Sequence, residues 1–271
     1  MEFLGEFLTY PFARRAIIAG LLLSVSAALL GVNLVLKRFS MLGDGLSHVS
    51  FGAAAVGLAC GAAPLQFSIP IVIVAAFLLL RLKQNSKING DAATAIVSSS
   101  ALAVGITVAS LTTGMNTDIT NYMFGSVLAL GKSEVMIAAF CGIIIIAVYI
   151  LFYQKIFTVT FDEDFASVTG VKARLYNSIN AIMTALIVVI GMRIMGALLI
   201  SSIITFPALS SMRICKHYKC TVIVAAVVSV ISFVTGILLS FTFDIPAGAA
   251  VVLTNLAIFL ILSFVGRIKK I

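Results

Sequence analysis

Apolar segments of 18 or more residues recur along almost the entire chain, and they restrict its fold more than any other feature. A segment of this length can cross the hydrocarbon core of a bilayer as a helix. Hydrophobic residues make up 61% of the 271 residues and charged residues only 10%, far from the composition of a soluble domain. Backbone polar groups in lipid must pair within their own segment, which excludes an open sheet. The sequence therefore predicts an all-α polytopic membrane protein with a single domain over residues 1–271.

The apolar runs predict nine transmembrane helices. We place them at about 12–36, 44–61, 67–82, 91–113, 134–153, 176–193, 195–213, 221–241 and 247–266. The first run lacks a small-residue cleavage site, so we interpret it as a retained span.

Basic residues predict the orientation of these helices. Fourteen of the 18 Lys and Arg residues fall in alternate loops, which the positive-inside rule makes cytoplasmic. The net charge of +8 is thus attributed to membrane orientation and not to nucleic-acid binding. Nine spans place the N-terminus outside, together with Arg14 and Arg15. An eight-span layout, in which one short segment does not cross, would return the N-terminus to the cytoplasm.

Asp44 and His48 are an ionisable pair at the start of the second span. They are four residues apart and so share one helix face. An Asp at the centre of a membrane helix costs about 2.5–3.5 kcal/mol on insertion scales, so such a residue is by default a functional one. A carboxylate with an imidazole is a metal-ligand combination. The structural alternative is that Asp44 caps the helix and His48 bonds to a neighbouring span.

The residues around this pair favour a packed helix and a shared site. Ala53, Gly57 and Gly61 follow the small-xxx-small spacing that permits close helix approach. Because the chain has only two histidines, one protomer cannot build a three-histidine site. Two protomers would supply two copies each of Asp44 and His48, which suits tetrahedral zinc.

Two loops are long. Residues 114–133 fall on the outer side and contain an apolar patch, which predicts an interfacial or re-entrant helix. Residues 154–175 are predicted to be cytoplasmic and contain the densest acidic cluster, Asp162, Glu163 and Asp164, followed by Gly170. We expect a short helix that ends at Gly170. This loop is either a docking site for a cytoplasmic partner or simply solvated.

Two other motifs are not assigned a ligand. Residues 125–133 resemble a nucleotide-binding P-loop, but the first glycine comes one residue too early and no strand precedes it. Cys215 and Cys220 flank His217, but this spacing is not that of a structural zinc site, and two lysines disfavour a cation. We also expect no disulfide framework from the four cysteines.

Six segments in order resemble the permease subunits of ATP-binding-cassette importers for zinc, manganese and chelated iron. They are YPFARRAIIAG (10–20), LGDGLSHVSFGAAAVG (42–57), NYMFGSVLAL (121–130), FDEDFASVTGVK (161–172), MRIMGALLISSIITFPALSS (192–211) and FDIPAGAAVVL (243–253). The last segment is more similar to zinc permeases than to manganese permeases.

The resemblance implies a type II importer permease in the cell membrane that is not itself an enzyme. Two copies would form the path, two ATP-binding subunits would dock on the cytoplasmic side, and an extracytoplasmic metal-binding protein would deliver the ion. Asp44 and His48 align with the metal-contacting pair of the family. The segment implied to couple to the ATPase comprises Phe161, Asp162, Glu163, Asp164, Phe165, Ala166 and Gly170.

Zinc is the expected cargo, with manganese or iron as alternatives, and ATP is used only by the partner subunit. A second hypothesis is an ion-coupled secondary transporter. Such proteins often show internal repeats and several intramembrane acids, and this sequence shows no convincing repeat.

Overall fold

The computed structural model describes residues 11–85, 90–112 and 131–268, and all regular elements in these ranges are helices. There are eleven in the described ranges: α1 (Pro11–Leu36), α2 (Leu42–Ala59), α3 (Pro64–Asn85), α4 (Gly90–Leu111), α5 (Lys132–Leu151), α6 (Tyr153–Phe161), α7 (Glu163–Val168), α8 (Ala173–Met195), α9 (Ala197–Met212), α10 (Tyr218–Phe243) and α11 (Ala247–Ile268). Nine are long, and these match the nine predicted spans in order, with every boundary within three residues of the prediction. The predicted interfacial helix of the outer loop lies outside the described residues.

Most of the long helices suit a bilayer by themselves. Seven of those in the described ranges are long and apolar enough to cross one. The other two are α9, an apolar helix of 16 residues, and α2, whose 18 residues include an Asp and a His. The prediction of an all-helical, multi-pass membrane protein is confirmed.

The helices form an inner group and an outer group. In the apolar window of both α1 and α8, 72% of residues are buried, against 22% in α4 and in α11. The inner group is completed by α2, which packs against α3, α4, α8 and α9, and by α9, which also contacts α1, α10 and α11. Protein thus covers most sides of α2, which keeps its Ser47 and Ser50 side chains out of lipid.

Contacts between helix ends establish the helix directions. The Tyr218 hydroxyl at the start of α10 donates to Asn33 Oδ1 near the end of α1, 2.6 Å away. It also lies 2.8 Å from the Tyr149 hydroxyl near the end of α5. On the opposite side of the bundle, Arg193 Nε near the end of α8 donates to Glu134 Oε1 at the start of α5, 3.1 Å away. The long helices therefore alternate in direction, as nine successive crossings require.

We call the side of the bundle that contains Tyr149 and Tyr218 the basic end, because the predicted cytoplasmic loops lie there. The side that contains Glu134 and Arg193 is the opposite end.

Backbone contact at two glycines brings the inner helices together. A Cβ on Gly31 of α1 would lie 1.8 Å from the carbonyl oxygen of Ile204 in α9. A Cβ on Gly52 of α2 would lie 2.4 Å from the carbonyl oxygen of Ala101 in α4. Both distances are far below van der Waals contact, so only glycine allows these helices to approach so closely.

The expectation that the cysteines form no disulfide was wrong for one pair. A disulfide joins Cys215, in the turn after α9, to Cys220, in the first turn of α10, with their Cα atoms 5.7 Å apart. This separation is within the usual range for a disulfide. The sequence could not predict the bond, because it depends on how tightly the turn closes. Cys60 and Cys141 are free.

We predict that Gly31→Ala destabilises the protein, because the added methyl group has no space against the α9 backbone. Overpacking of this kind costs about 1–3 kcal/mol. The measurement is a thermal unfolding curve of the purified protein in detergent. Gly131→Ala is the control, since its Cβ would meet no atom closer than 3.8 Å. Equal melting temperatures for the two variants would show that α1 and α9 are not in backbone contact.

Candidate functional site

Asp44 and His48 lie one turn apart near the start of α2, at its basic end. His48 Nε2 is 3.7 Å from Asp44 Oδ2, and the two side chains are 26% and 46% exposed, respectively. This separation is too long for a direct hydrogen bond. Two ligands of one tetrahedral zinc ion, each about 2.0–2.2 Å from the metal, are separated by roughly 3.3 Å. Small side-chain rotations would therefore let both groups bind the same ion.

The rest of the first half of α2 is buried, which leaves the pair on the open side of the helix. Gly43 faces Ile204 of α9, and Gly45 faces Thr94 of α4, with no space for a Cβ at either position. The prediction of a closely packed helix is thus confirmed, although the glycines involved differ in part. Gly61 lies beyond α2 with a φ of 69° and has no neighbour within 4 Å of an added Cβ, so it serves the turn and not packing.

Asp44 is not the capping residue of α2, as the structural alternative expected. The N-cap of α2 is Met41, without a side-chain cap bond, and Asp44 is in the first turn. A carboxylate there interacts favourably with the helix dipole, but that interaction does not require a histidine one turn later. In the described ranges, no three or more His, Cys, Asp or Glu side chains are placed so that they could hold one metal ion. The described part of one protomer therefore offers a metal ion at most the two candidate ligands of this pair.

The predicted docking segment forms two short helices at the basic end, α6 and α7. Asp162 is the N-cap of α7, and its Oδ1 accepts a hydrogen bond of 2.9 Å from the Phe165 backbone N–H. Gly170 follows α7 with a φ of 81°, the left-handed conformation that favours glycine. The predicted short helix that ends near Gly170 is therefore present.

The exposed surface of this segment carries large apolar side chains beside the acids. The exposed fractions are 59% for Phe161, 58% for Phe165 and 86% for Val168, whereas Ala166 is fully buried. Among the three acids, Asp162 caps α7 and Glu163 turns toward the bundle. Sequence reasoning selected this segment for its charge, and it missed Val168.

Glu163 belongs to a polar cluster that sequence reasoning also missed. The Lys37 ammonium, in the turn after α1, donates to Glu163 Oε1 at 2.9 Å and to Asn177 Oδ1 at the start of α8. Asn177 Nδ2 donates to the same Glu163 oxygen at 3.1 Å. Burial lowers the pKa of Lys37, and the hydrogen bond and charge of Glu163 offset part of that shift. The sequence assigned Lys37 only to a cytoplasmic loop.

An aromatic cluster holds α6 against the start of α10. The ring of Tyr218 lies 4.9 Å from Phe157, 5.4 Å from Tyr153 and 5.9 Å from Phe161, measured between centroids. The segment that carries the exposed apolar side chains is thus attached to the bundle by rings and by the Lys37 cluster.

Known proteins resemble this chain over nearly its full length. The zinc uptake membrane protein ZnuB of Haemophilus influenzae is 28% identical and covers 92% of this chain and 95% of its own. The manganese import permease ScaB of Streptococcus gordonii is 27% identical, and the match covers 98% of this chain and 95% of ScaB. The solved structure of PsaBC from Streptococcus pneumoniae in complex with Fab superposes with a TM-score of 0.85 at 26% identity and covers 96% and 94%.

The description of the ABC 3 transport family fits residues 9–266, almost the whole chain. The superposition on the solved relative shows that the two chains share their fold over nearly their full length. The chain belongs to the ABC 3 transport family.

Proposed function

We propose that this chain is the permease subunit of an ATP-driven importer for a divalent metal ion, and that its cargo is zinc. The observation that carries the proposal is the Asp44–His48 pair, placed within reach of one ion on the open side of α2. As an ion pair one turn apart on a helix, at 3.7 Å, the two side chains would stabilise the structure by only about 0.2–0.5 kcal/mol.

Zinc is favoured by the donor atoms. Imidazole nitrogen and carboxylate oxygen suit zinc, whereas manganese prefers more oxygen ligands. A homodimer in which the open sides of two α2 helices face each other would supply two nitrogens and two oxygens, a complete tetrahedral set. The resemblance of segment 243–253 to zinc permeases and the likeness to ZnuB support the same cargo. Manganese, suggested by the likeness to ScaB, and iron are the alternatives.

The ATP-binding subunit would dock on α6 and α7. Phe161, Phe165 and Val168 are exposed in the loop between two membrane helices at the basic end, outside the lipid-facing surfaces. Large apolar side chains that protrude into water at one place mark a protein contact. An extracytoplasmic metal-binding protein would deliver the ion at the opposite end, and ATP binding and hydrolysis would switch access between the two ends.

We predict that Asp44→Ala and His48→Ala each lower zinc uptake by at least about tenfold, since loss of even a supporting group of a metal site costs 10–100-fold. The measurement is ATP-dependent uptake of radioactive zinc into proteoliposomes that contain the permease, its ATP-binding subunit and the metal-binding protein. Ser47→Ala is the control, because the Ser47 hydroxyl only donates to the Asp44 carbonyl within α2. Wild-type uptake by both ligand variants would refute the metal assignment.

The choice of metal is tested by competition. We predict that an equal concentration of manganese changes zinc uptake by less than about twofold, whereas zinc suppresses manganese uptake, because zinc binds mixed N/O sites more tightly. His48→Asp replaces nitrogen by oxygen and should shift the preference toward manganese. Equal competition in the wild-type protein would point to manganese as the cargo and leave the importer assignment intact.

Docking is tested separately from transport. We predict that Phe165→Ala abolishes co-purification with the ATP-binding subunit without lowering the melting temperature, since the side chain is 58% exposed. Gln154→Ala, at an exposed position on α6, is the control. If the Phe165 variant retains the ATP-binding subunit, the docking surface lies elsewhere.

A further inference from the structure

The Lys37 cluster joins three parts of the chain that are far apart in sequence. Lys37 lies in the turn between α1 and α2, Glu163 is the first residue of α7, and Asn177 is in the first turns of α8. Lys37 is only five residues before Leu42, the first residue of α2. The cluster therefore connects the proposed docking segment to the helix that carries Asp44 and His48.

A cavity of about 340 Å³ lies beside this cluster. Its lining includes Lys37, Glu163 and Asn177, and it extends to Asn180 and to Leu42. Protein interiors are normally packed without such voids, so the groups around it have room to move.

A second acceptor for Lys37 lines the same cavity. Asn180 is three residues after Asn177, on the same face of α8 and about 4.5 Å deeper along the helix axis. The residue is 8% exposed, and its Oδ1 has no hydrogen-bond partner within the described part of the chain. A buried acceptor without a partner is costly and is generally satisfied in some state of the protein. Asn177 and Asn180 thus offer the Lys37 ammonium two equivalent amide oxygens, one occupied and one vacant.

We propose that Lys37 is a positioning residue that transmits movement of α7 to α2 by exchanging Asn177 for Asn180. When the ATP-binding subunit displaces Glu163, the ammonium moves one turn deeper along α8 and the turn between α1 and α2 moves with it. The start of α2, and hence the Asp44–His48 pair, shifts relative to α8. The inference rests on the proposed function, because it requires an ATP-binding subunit that docks on α7. One-turn shifts between discrete contacts are an established form of switching.

The test measures the distance between the turn and α8 in the complete complex. Spin labels at Met41 and Leu175, 53% and 50% exposed, report this distance by pulsed electron paramagnetic resonance in a cysteine-free background that still hydrolyses ATP. We expect the distance to change by up to about 4.5 Å between nucleotide-free and ATP-analogue-bound complexes, which is three residues of helix rise. Asn180→Leu should remove this change. Asn180→Asp should populate the second distance without nucleotide, because a carboxylate binds an ammonium more strongly than an amide does.

Asn255→Leu is the matched control. Asn255 is also a fully buried amide whose Oδ1 has no partner in the described ranges, but it lies in α11, away from the cavity. This variant should switch like the wild-type complex. The inference is overturned if the wild-type Met41–Leu175 distance does not change when the ATP analogue binds. It is also overturned if the Asn180→Leu complex shows the same change as the wild type. If the Asn180→Leu complex does not assemble, the Asn180→Asp complex provides the test. A nucleotide-free Met41–Leu175 distance distribution identical to that of the wild type then overturns the inference.

Failure of the inference is distinguishable from failure of the proposed function. A complex that binds ATP and takes up zinc with an unchanged Met41–Leu175 distance refutes only the Lys37 exchange. A permease that binds no ATP-binding subunit refutes the proposed function itself.

Discussion

Close backbone contact around α2 is the constraint on which the rest of the structure depends. A helix with an Asp, a His and buried serines cannot face lipid without a large free-energy cost, so protein must surround it. Gly45 and Gly52 allow α4 to approach until the Thr94 methyl group and the Ala101 carbonyl occupy the space of a side chain. Because α3, α8 and α9 cover other sides of α2, Asp44 and His48 remain on the one side that stays partly open. The packing that hides the polar helix from lipid therefore also determines where the candidate metal site can be.

The sequence correctly predicted those structural features whose physical cause is local to a segment of the chain. Hydropathy located all nine long helices within three residues, because the transfer of a helix into lipid depends on its own side chains. The short helix α7 was predicted from its acidic first turn and Gly170 for the same reason. By contrast, the pairing of Lys37 with Glu163 joins residues 126 positions apart, and neither residue differs in sequence from an ordinary loop charge. The Cys215–Cys220 bond likewise depends on how the turn between α9 and α10 closes.

Two residues of the acidic cluster have structural roles that the sequence did not predict. Three consecutive acids marked this loop as either a docking site or a solvated loop, but Asp162 caps α7 and Glu163 binds Lys37 and Asn177. Phe161, Phe165 and Val168 are the large apolar side chains that project from α6 and α7. Large apolar anchors supply most of the binding free energy at protein interfaces, while charges at the edge mainly affect association rates. Asp162 and Glu163 therefore shape the segment, and under the proposed function the aromatic and aliphatic side chains would form its contact surface.

The energetics of Lys37 explain why a second acceptor matters. Removing one partner of a buried ion pair costs about 3–5 kcal/mol. Because the Glu163 side chain is about half exposed, the cost for the Lys37–Glu163 pair is about 3 kcal/mol or less. Coupling free energies between sites are typically about 1–3 kcal/mol. The cost of simply releasing the Lys37 ammonium into the cavity would be as large as most of this coupling free energy. An amide oxygen one turn deeper lowers the cost, because the ammonium changes partners and never loses them all. Since Leu42 lines the same cavity, the proposed displacement would reach α2 two residues before Asp44, without a longer chain of contacts between α7 and the Asp44–His48 pair.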